Sequence, residues 1–372
     1  MRQDNKMDVK ILISAGGSGG HIFPAIALTQ ALRKKAKVQI VFVGSKRKLD
    51  RKLLEPHNFK KYFLSINPMP RNFGLKWIAF IGKFISDVIV SIGILISERP
   101  SICVGFGGYT QGAILLLARL FGVRIIVHEQ NFIPGRANII MDKMADKIAV
   151  SFKETESYFK NKRIVFTGNP IRDKKDNLQK NECLGLFGLD SNKTTLLVMG
   201  GSQGAKGLNR VAVGVLRNLA PEVTEKIQIL HITGESDYDF VVGFYAKACY
   251  KASVHRFVED IQHAYRVADA AFSRAGASSL SELGLNGIPM ILIPYPGRKN
   301  NQRSNAAYLF EKKACVYIEE HDEEAIKKAQ AALENLINDP AYANTLTMNA
   351  KKELVEDASD RLAEETINLL SK

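Results

Sequence analysis

Cysteine is scarce in this chain of 372 residues: it occurs only at Cys103, Cys183, Cys249 and Cys315. None forms a CxxC pair and none has histidines at metal-ligand spacing, which excludes a disulfide scaffold and a zinc module. Scattered single thiols suit a reducing compartment, and Cys103 and Cys315 lie in apolar runs that read as core. Tryptophan occurs once, at Trp77, and low-complexity tracts are missing. With 46% hydrophobic and 24% charged residues, the chain reads as neither a disordered tail nor a collagen-like fibre. The polar start, MRQDNKMDVK, runs into an apolar segment too short to predict a signal peptide. Nor does any apolar run predict a membrane span. The best, 77–97, is interrupted by Lys83 and Asp87, which are spaced to pair on one helix.

Negative charge is short in one half only. The net charge is +14, from 52 Lys+Arg and 38 Asp+Glu. Residues 1–170 hold 27 Lys+Arg against 11 Asp+Glu, and residues 171–372 hold 25 against 27. The length predicts two domains, and the lopsided charge predicts that they face different things. A surplus of this size implies an anionic partner: nucleic acid, an acidic membrane surface or phosphates. No basic–aromatic RNA motif occurs, so nucleic acid is not expected.

What is present is an alternation of short β-rich runs and helical stretches. Strands are expected at 10–14, 39–43, 101–104, 124–127, 148–150 and 164–167, and again at 194–199, 227–232, 268–272 and 290–293. Helices are expected at 22–32 and 112–121, and charged amphipathic helices over 322–372. This is the pattern of an α/β protein with parallel sheets covered on both faces, built twice. The junction is GNPIR (168–172), where Pro170 turns Asn169 away from helix.

Three glycine loops fall at strand ends: GGSGG (16–20), GFGG (105–108) and GGSQG (200–204). In doubly wound sheets ligands bind beyond the carboxyl ends of the strands, and a helix N-terminus after a glycine loop offers free N–H groups to an anion. Neither GxGxxG with a ribose-binding acid nor GxxxxGK[ST] occurs, which removes the nicotinamide dehydrogenase and P-loop readings. Asp237-Tyr238-Asp239 is formally a metal–diphosphate DxD motif, but it follows a turn and reads as a solvated loop, so no metal or other cofactor is expected.

GGSGGHIFPAIAL (16–28), GFGGYTQGA (105–113), HEQNFIPGRAN (128–138), GNPIR (168–172), GGSQGAKGLN (200–209), RAGASSLSELGLNGIPMILIPYP (274–296) and NNQRSNA (300–306) resemble, in order, the MurG family. These are bacterial N-acetylglucosaminyltransferases of glycosyltransferase family 28. The resemblance implies a GT-B fold of two Rossmann-like domains facing across a cleft: an acceptor and membrane domain at 1–169, and a UDP-GlcNAc domain at 170–352. It also implies a C-terminal helix, about 353–372, packed back on the first domain. The implied reaction is inverting transfer of GlcNAc from UDP-GlcNAc to the C4 hydroxyl of MurNAc in lipid I. The product is the β-1,4-linked lipid II of peptidoglycan synthesis, which serves cell wall biogenesis, cell shape and division. The implied location is the cytoplasmic face of the bacterial plasma membrane. A UDP-GlcNAc epimerase with the same fold and similar glycine loops is the alternative.

Inverting transfer needs a base at the acceptor hydroxyl and stabilisation of the departing diphosphate. The resemblance makes His21 the first candidate base, with Glu129 and His128 in reserve; capping and strand-end packing remain open for all three. Ser18, Gly19 and Gly20 form the first loop, and Asn131 matches a position near the sugar. Gly201, Ser202 and Gln203 are expected to cradle the diphosphate, with Arg172 as a bidentate cation. Ser278, Ser279 and Glu282 open a helix whose carboxylate would take the ribose hydroxyls, unless Ser279 and Glu282 are a capping box. Val258 would read uracil through its backbone. Gln302 and Asn305 would bind GlcNAc or order their loop. Many family members have two glutamines where this chain has Asn301-Gln302, so a sugar contact from the shorter Asn301 is not carried over.

A lipid acceptor requires docking. Residues 67–84, NPMPRNFGLKWIAFIGKF, interleave apolar groups with Arg71, Lys76 and Lys83. Phe73, Leu75, Trp77, Phe80 and Phe84 are expected to enter the interface of an anionic membrane. Lys46, Arg47, Lys48, Arg51 and Lys52 would assist, and 85–96 would be a core helix.

Overall fold

The computed structural model describes residues 9–65, 74–160, 163–172, 178–201, 204–297 and 301–370. The chain divides into two units, residues 1–173 with 357–372, and residues 174–356.

The first unit holds seven strands: β1 (Val9–Ser14), β2 (Val38–Ser45), β3 (Lys60–Leu64), β4 (Ile102–Gly105), β5 (Arg124–Glu129), β6 (Lys147–Val150) and β7 (Ile164–Phe166). They pair in parallel in the order β3-β2-β1-β4-β5-β6-β7. VKILIS, VQIVFVGS, ICVG and RIIVHE are nearly continuous apolar runs because both faces of a parallel sheet are buried. On one face Ile11, Ile13, Phe42 and Val104 meet Ile22 and Leu32 of helix Gly19–Lys35 and Leu362 of helix Ala358–Leu370. On the other, Leu12, Val43, Cys103 and Val127 meet Ile94, Leu95, Ile114 and Leu115. The C-terminal helix is tied to the unit by Lys35–Glu364 (2.8 Å) and Lys147–Glu365 ion pairs.

The second unit repeats the plan with β8 (Thr194–Met199), β9 (Ile227–Ile232), β10 (Ala252–His255), β11 (Ala270–Ser273), β12 (Met290–Leu292) and β13 (Val316–Tyr317), in the parallel order β10-β9-β8-β11-β12-β13. In each sheet the order reverses once, between β1 and β4 and between β8 and β11. Those switch points are where doubly wound sheets open a crevice for ligands. The loops after all four strands are glycine-bearing: 16–20, 105–108, 200–204 and Gly276. Strands β3, β10 and β13, which the sequence pattern did not reveal, are all sheet edges.

Helix Leu75–Glu98 departs from the core helix expected at 85–96. Ile94 and Leu95 are buried, but Ile78 (69% exposed), Ile81, Ile85, Ile89 (65% exposed), Val90 and Ile96 face outward. The inward face is polar instead, with Asp87, Ser91 and Glu98 buried. Asp87 accepts the Ser65 N–H (2.8 Å), and the pairing expected with Lys83 does not form. Glu98 takes Lys10 (3.0 Å), Lys60 (2.5 Å) and the Tyr62 hydroxyl (2.6 Å). By length and composition, Phe80–Glu98 is apolar enough to cross a membrane, contrary to the sequence expectation.

Candidate active site

The first glycine loop is held from below by a residue that sequence reasoning missed. Asp50, fully buried, accepts from Gly17 N (2.9 Å), Ser45 N (2.9 Å) and Ser45 Oγ (2.6 Å). A Cβ on Gly16 would lie 2.7 Å from Asp50 Oδ2, and Gly17 has φ +87°, so neither position accepts a side chain without strain. Arg47, expected among the solvated or lipid-facing cations, instead donates to Gly17 O (3.1 Å). Asp50 stood amid Lys46–Lys52, and nothing in that basic run distinguished it.

Helix Gly19–Lys35 starts on this loop: Ser18 precedes it, Gly19 is buried and Gly20 exposed. The loop after β4 comes to the same place. Gly107 and Gly108 have φ +87° and +78°; a Cβ on Gly108 would meet Gly16 O at 2.6 Å, and one on Gly107 would meet His21 Cε1 at 3.2 Å. His21 is half-buried against this backbone. Its Nδ1 lies 2.9 Å from Gln130 Oε1, and among the described residues no hydrogen bond reaches its Nε2. Arg172 stacks its guanidinium 4.1 Å over the Phe23 ring on the same helix.

The reserve bases are placed differently. Glu129 is 1% exposed: Oε1 accepts from Asn131 N (2.8 Å) and Asn131 Nδ2 (3.0 Å), and Oε2 from Gly135 N (2.8 Å) and Asn138 Nδ2 (2.8 Å). With four donors on it, the carboxylate organises the HEQN loop and has no face open to a substrate hydroxyl. Asn131, expected near the sugar, is half of that clamp. His128 is fully buried beside Phe106; its Nε2 bonds Gly168 O (2.9 Å) and its Nδ1 bonds Gln130 Nε2 (3.0 Å). Burial pushes its imidazole down to about 4, outweighing the Gly168 hydrogen bond. Both ring nitrogens are occupied, so the structure leaves His21 alone of the three with an open basic atom.

In the second unit, β8 ends at Met199, Gly200 follows, and Gly201 (φ +86°) and Gly204 (φ +74°) bound the loop; Ser202 and Gln203 lie outside the described residues. A Cβ on Gly204 would sit 2.3 Å from Thr233 O, which fixes glycine there. Helix Lys206–Asn218 follows, its N-terminus at the loop. After β11, Gly276 leads into helix Ala277–Leu285 with Ser278, Ser281 and Glu282 buried. Among the described residues no Ser279–Glu282 capping box forms: the helix has no side-chain cap, and Glu282 Oε2 accepts the Tyr265 hydroxyl (2.8 Å). Arg274 was not singled out beforehand. It is buried, paired with Glu320, and donates to Ile293 O (2.9 Å) and Pro294 O (3.0 Å), tying together the ends of β11 and β12. Gln302 accepts from Tyr295 N (2.9 Å), and Asn305, fully buried, donates to Ala275 O (3.1 Å). Both contacts order the segments around them. Val258 is half-buried in the loop after β10. Asp237, of the DxD sequence, is buried on Asn209 Nδ2 (3.1 Å), whereas Asp239 pairs outward with Arg256 (3.4 Å), so the two carboxylates serve different neighbours.

Residues 11–150 match the glycosyltransferase family 28 N-terminal domain and residues 195–362 the family 28 C-terminal domain. A protein of Flavobacterium psychrophilum, named UDP-N-acetylglucosamine–N-acetylmuramyl-(pentapeptide) pyrophosphoryl-undecaprenol N-acetylglucosamine transferase, is 31% identical, over 97% of this chain and 98% of its own. Seven further relatives at 30–36% identity carry the same name. The chain belongs to glycosyltransferase family 28 and, within it, to the MurG family. Its fold is shared with MurG of Acinetobacter baumannii (TM-score 0.74, 23% identity, 97% of this chain and 99% of that one). A UDP-GlcNAc 2-epimerase of Neisseria meningitidis shares it too (TM-score 0.69, 12% identity, 97% and 100% covered). The fold therefore does not separate transferase from epimerase, and membership of family 28 does: the chain is a glycosyltransferase. The strand-end glycines, His21, Arg172 and Glu282 lie inside the family 28 motifs quoted above, whereas Asp50 and Arg47 lie outside them.

Proposed function

We propose that this chain moves GlcNAc from UDP-GlcNAc to the C4 hydroxyl of MurNAc in lipid I, forming the β-1,4 linkage of lipid II. The observation that carries the reading is 30–36% identity, over 83–97% of the chain, to eight relatives named for that transfer. His21, with its open Nε2, is the base. The acceptor oxygen bonds to the anomeric carbon as the bond from that carbon to the diphosphate oxygen breaks. The electron pair leaves with UDP, and the hydroxyl proton passes to His21 Nε2. Backbone amides at the 200–204 loop and the Arg172 guanidinium take the charge of the departing diphosphate, and Glu282, steadied by Tyr265, takes the ribose hydroxyls. These groups do without a metal, so a chelator leaves the rate unchanged. His21→Gln lowers kcat by roughly 100-fold or more at an unchanged fold. Arg172→Ala lowers kcat about tenfold or more, because it removes a cation from the charge that develops as UDP leaves, and Glu282→Gln raises KM for UDP-GlcNAc about tenfold. Wild-type kinetics in all three variants would remove the site assignment. The epimerase reading is tested by UDP-GlcNAc alone: it requires UDP-ManNAc to form without acceptor.

The first unit docks on the cytoplasmic face of the membrane. The exposed isoleucines of helix Leu75–Glu98 support this, as do Leu116, Leu120 and Phe121 on and just after the neighbouring helix Thr110–Leu120. The aromatic anchors expected at this face are turned partly inward. Trp77, Phe80 and Phe84 are half-buried and in contact with one another, at 5.7 and 6.3 Å between ring centroids. Phe73 lies outside the described residues, as does the side chain of Leu75. The isoleucines, more than the aromatics, are the lipid-facing groups.

A further inference from the structure

We propose that Gln130 is a positioning residue that locks His21 in its Nδ1–H tautomer, leaving the Nε2 lone pair as the basic site. The proposal deepens the reading of His21 as the base and rests on it for its catalytic meaning. Which nitrogen of a neutral imidazole carries the proton is set by the hydrogen bond made at the other one. Here that choice follows from atoms that can only accept.

The chain of deduction starts at two backbone carbonyls. Gly168 O cannot donate, so His128 Nε2, 2.9 Å away, carries a proton. His128 is neutral in its buried setting, so its Nδ1 is a lone pair. Gln130 Nε2 lies 3.0 Å from that lone pair and 2.9 Å from His128 O, so both of its protons are directed at acceptors. Flipping the amide would set the Gln130 oxygen against a carbonyl oxygen and a lone pair together. The amide orientation is thereby fixed by chemistry. Its Oε1 then faces His21 Nδ1 at 2.9 Å and can only accept, so Nδ1 must donate. In the neutral ring the remaining nitrogen, Nε2, then holds the lone pair, and among the described residues no hydrogen bond reaches it.

The fold holds every member of this relay. Gln130 is buried, His128 is wedged beside Phe106 at 5.3 Å, and the His21 ring lies against the positive-φ backbone of Gly107 and Gly108. The relay differs from a carboxylate–histidine pair in one respect. Gln130 orients the ring without a formal charge and cannot take its proton, so a proton gained at Nε2 stays on the imidazole until it leaves by Nε2.

The test is the nitrogen spectrum of ¹⁵N-histidine-labelled protein at about pH 8, where histidine is neutral. His21 and His128, assigned by His21→Gln and His128→Asn, should show opposite tautomers in the wild type: Nδ1–H for His21 and Nε2–H for His128. In Gln130→Leu, His21 should revert to Nε2–H, the form free histidine prefers. kcat should fall about tenfold or more while KM for UDP-GlcNAc stays within about twofold. An Nε2–H signal from His21 in the wild type overturns the proposal without need of any variant. So does a Gln130→Leu protein that keeps the Nδ1–H tautomer. The underlying base assignment fails separately: a His21→Gln enzyme with wild-type kcat would dismiss His21 as base whatever its tautomer.

Discussion

At the residue scale, the buried polar network makes a pH prediction. The His128 imidazole, pushed down to about 4 by burial, titrates below the 6.5 of an exposed histidine. As pH falls, the unfolded chain takes up this proton before the folded one. The contribution is therefore fully present above about 6.5 and is lost as pH falls through the folded value. The loss amounts to about 2–4 kcal/mol by the time pH reaches 4. Urea unfolding of wild type and His128→Asn across this window should give curves that diverge, with the variant flatter; parallel curves would show that His128 is not buried neutral. Legibility at this scale divides along physical lines. Gly16, Gly17, Gly107, Gly108 and Gly204 were readable because each meets a backbone conformation or close approach that only glycine tolerates. His21 was readable only through family motifs. Asp50 and Gln130 were not readable, because a buried polar residue whose hydrogen bonds are all met within the fold looks, in one sequence, like any surface residue.

At the element scale, the same contrast separates central strands from edges. The runs buried on both faces announced themselves, whereas KKYFL, ASVH and VY are edge strands, half-exposed and short. Helix Leu75–Glu98 misled for a related reason: apolar composition predicts burial only if water is the alternative. Its isoleucines face out, while Glu98 anchors the inner face. Burial alone would raise Glu98, but hydrogen bonds from Lys60, Tyr62 and Lys10 outweigh it and hold the carboxyl at about 2. This stabilisation is present above the ordinary carboxylate value and is lost as pH falls towards 2. Glu98→Gln should lower stability at neutral pH by about 1–2 kcal/mol, discounted for the water around Lys60. It should have no effect near pH 2. The outward face makes a separate prediction. Ile85→Ser with Ile89→Ser should leave Tm unchanged or higher, since those side chains bury little in the protein. Vesicle binding should weaken at least tenfold, at ~0.8 kcal/mol for each CH₂ no longer buried in lipid. Unchanged vesicle binding would remove this helix from the docking surface.

At the scale of the whole molecule, the charge asymmetry read from the sequence persists once the C-terminal segment is assigned to the first unit. That segment brings Asp357, Asp360, Glu364 and Glu365 with it, yet residues 1–173 and 357–372 together still hold 30 Lys+Arg against 16 Asp+Glu. Residues 174–356 hold 22 of each, so the entire net charge of +14 belongs to one unit. Some of these cations serve the fold: Lys10 and Lys60 on Glu98, Arg47 on the first glycine loop, Lys35 and Lys147 on the C-terminal helix. The unit nevertheless keeps its surplus, because pairing redistributes charge without removing it. A field of this kind acts over about a Debye length, ~8 Å at physiological salt, and its action is therefore read by ionic strength. Anionic vesicles should bind the protein several-fold less tightly between 0.05 and 0.5 M salt, and neutral vesicles should bind weakly throughout (approximate ranges set by screening). KM for UDP-GlcNAc should move little over the same range, because the neutral second unit offers the nucleotide local amides and no long-range field. A KM for the soluble donor that rises with salt as steeply as vesicle binding falls would mean that the cations serve the nucleotide, and the division of labour between the units would have to be redrawn.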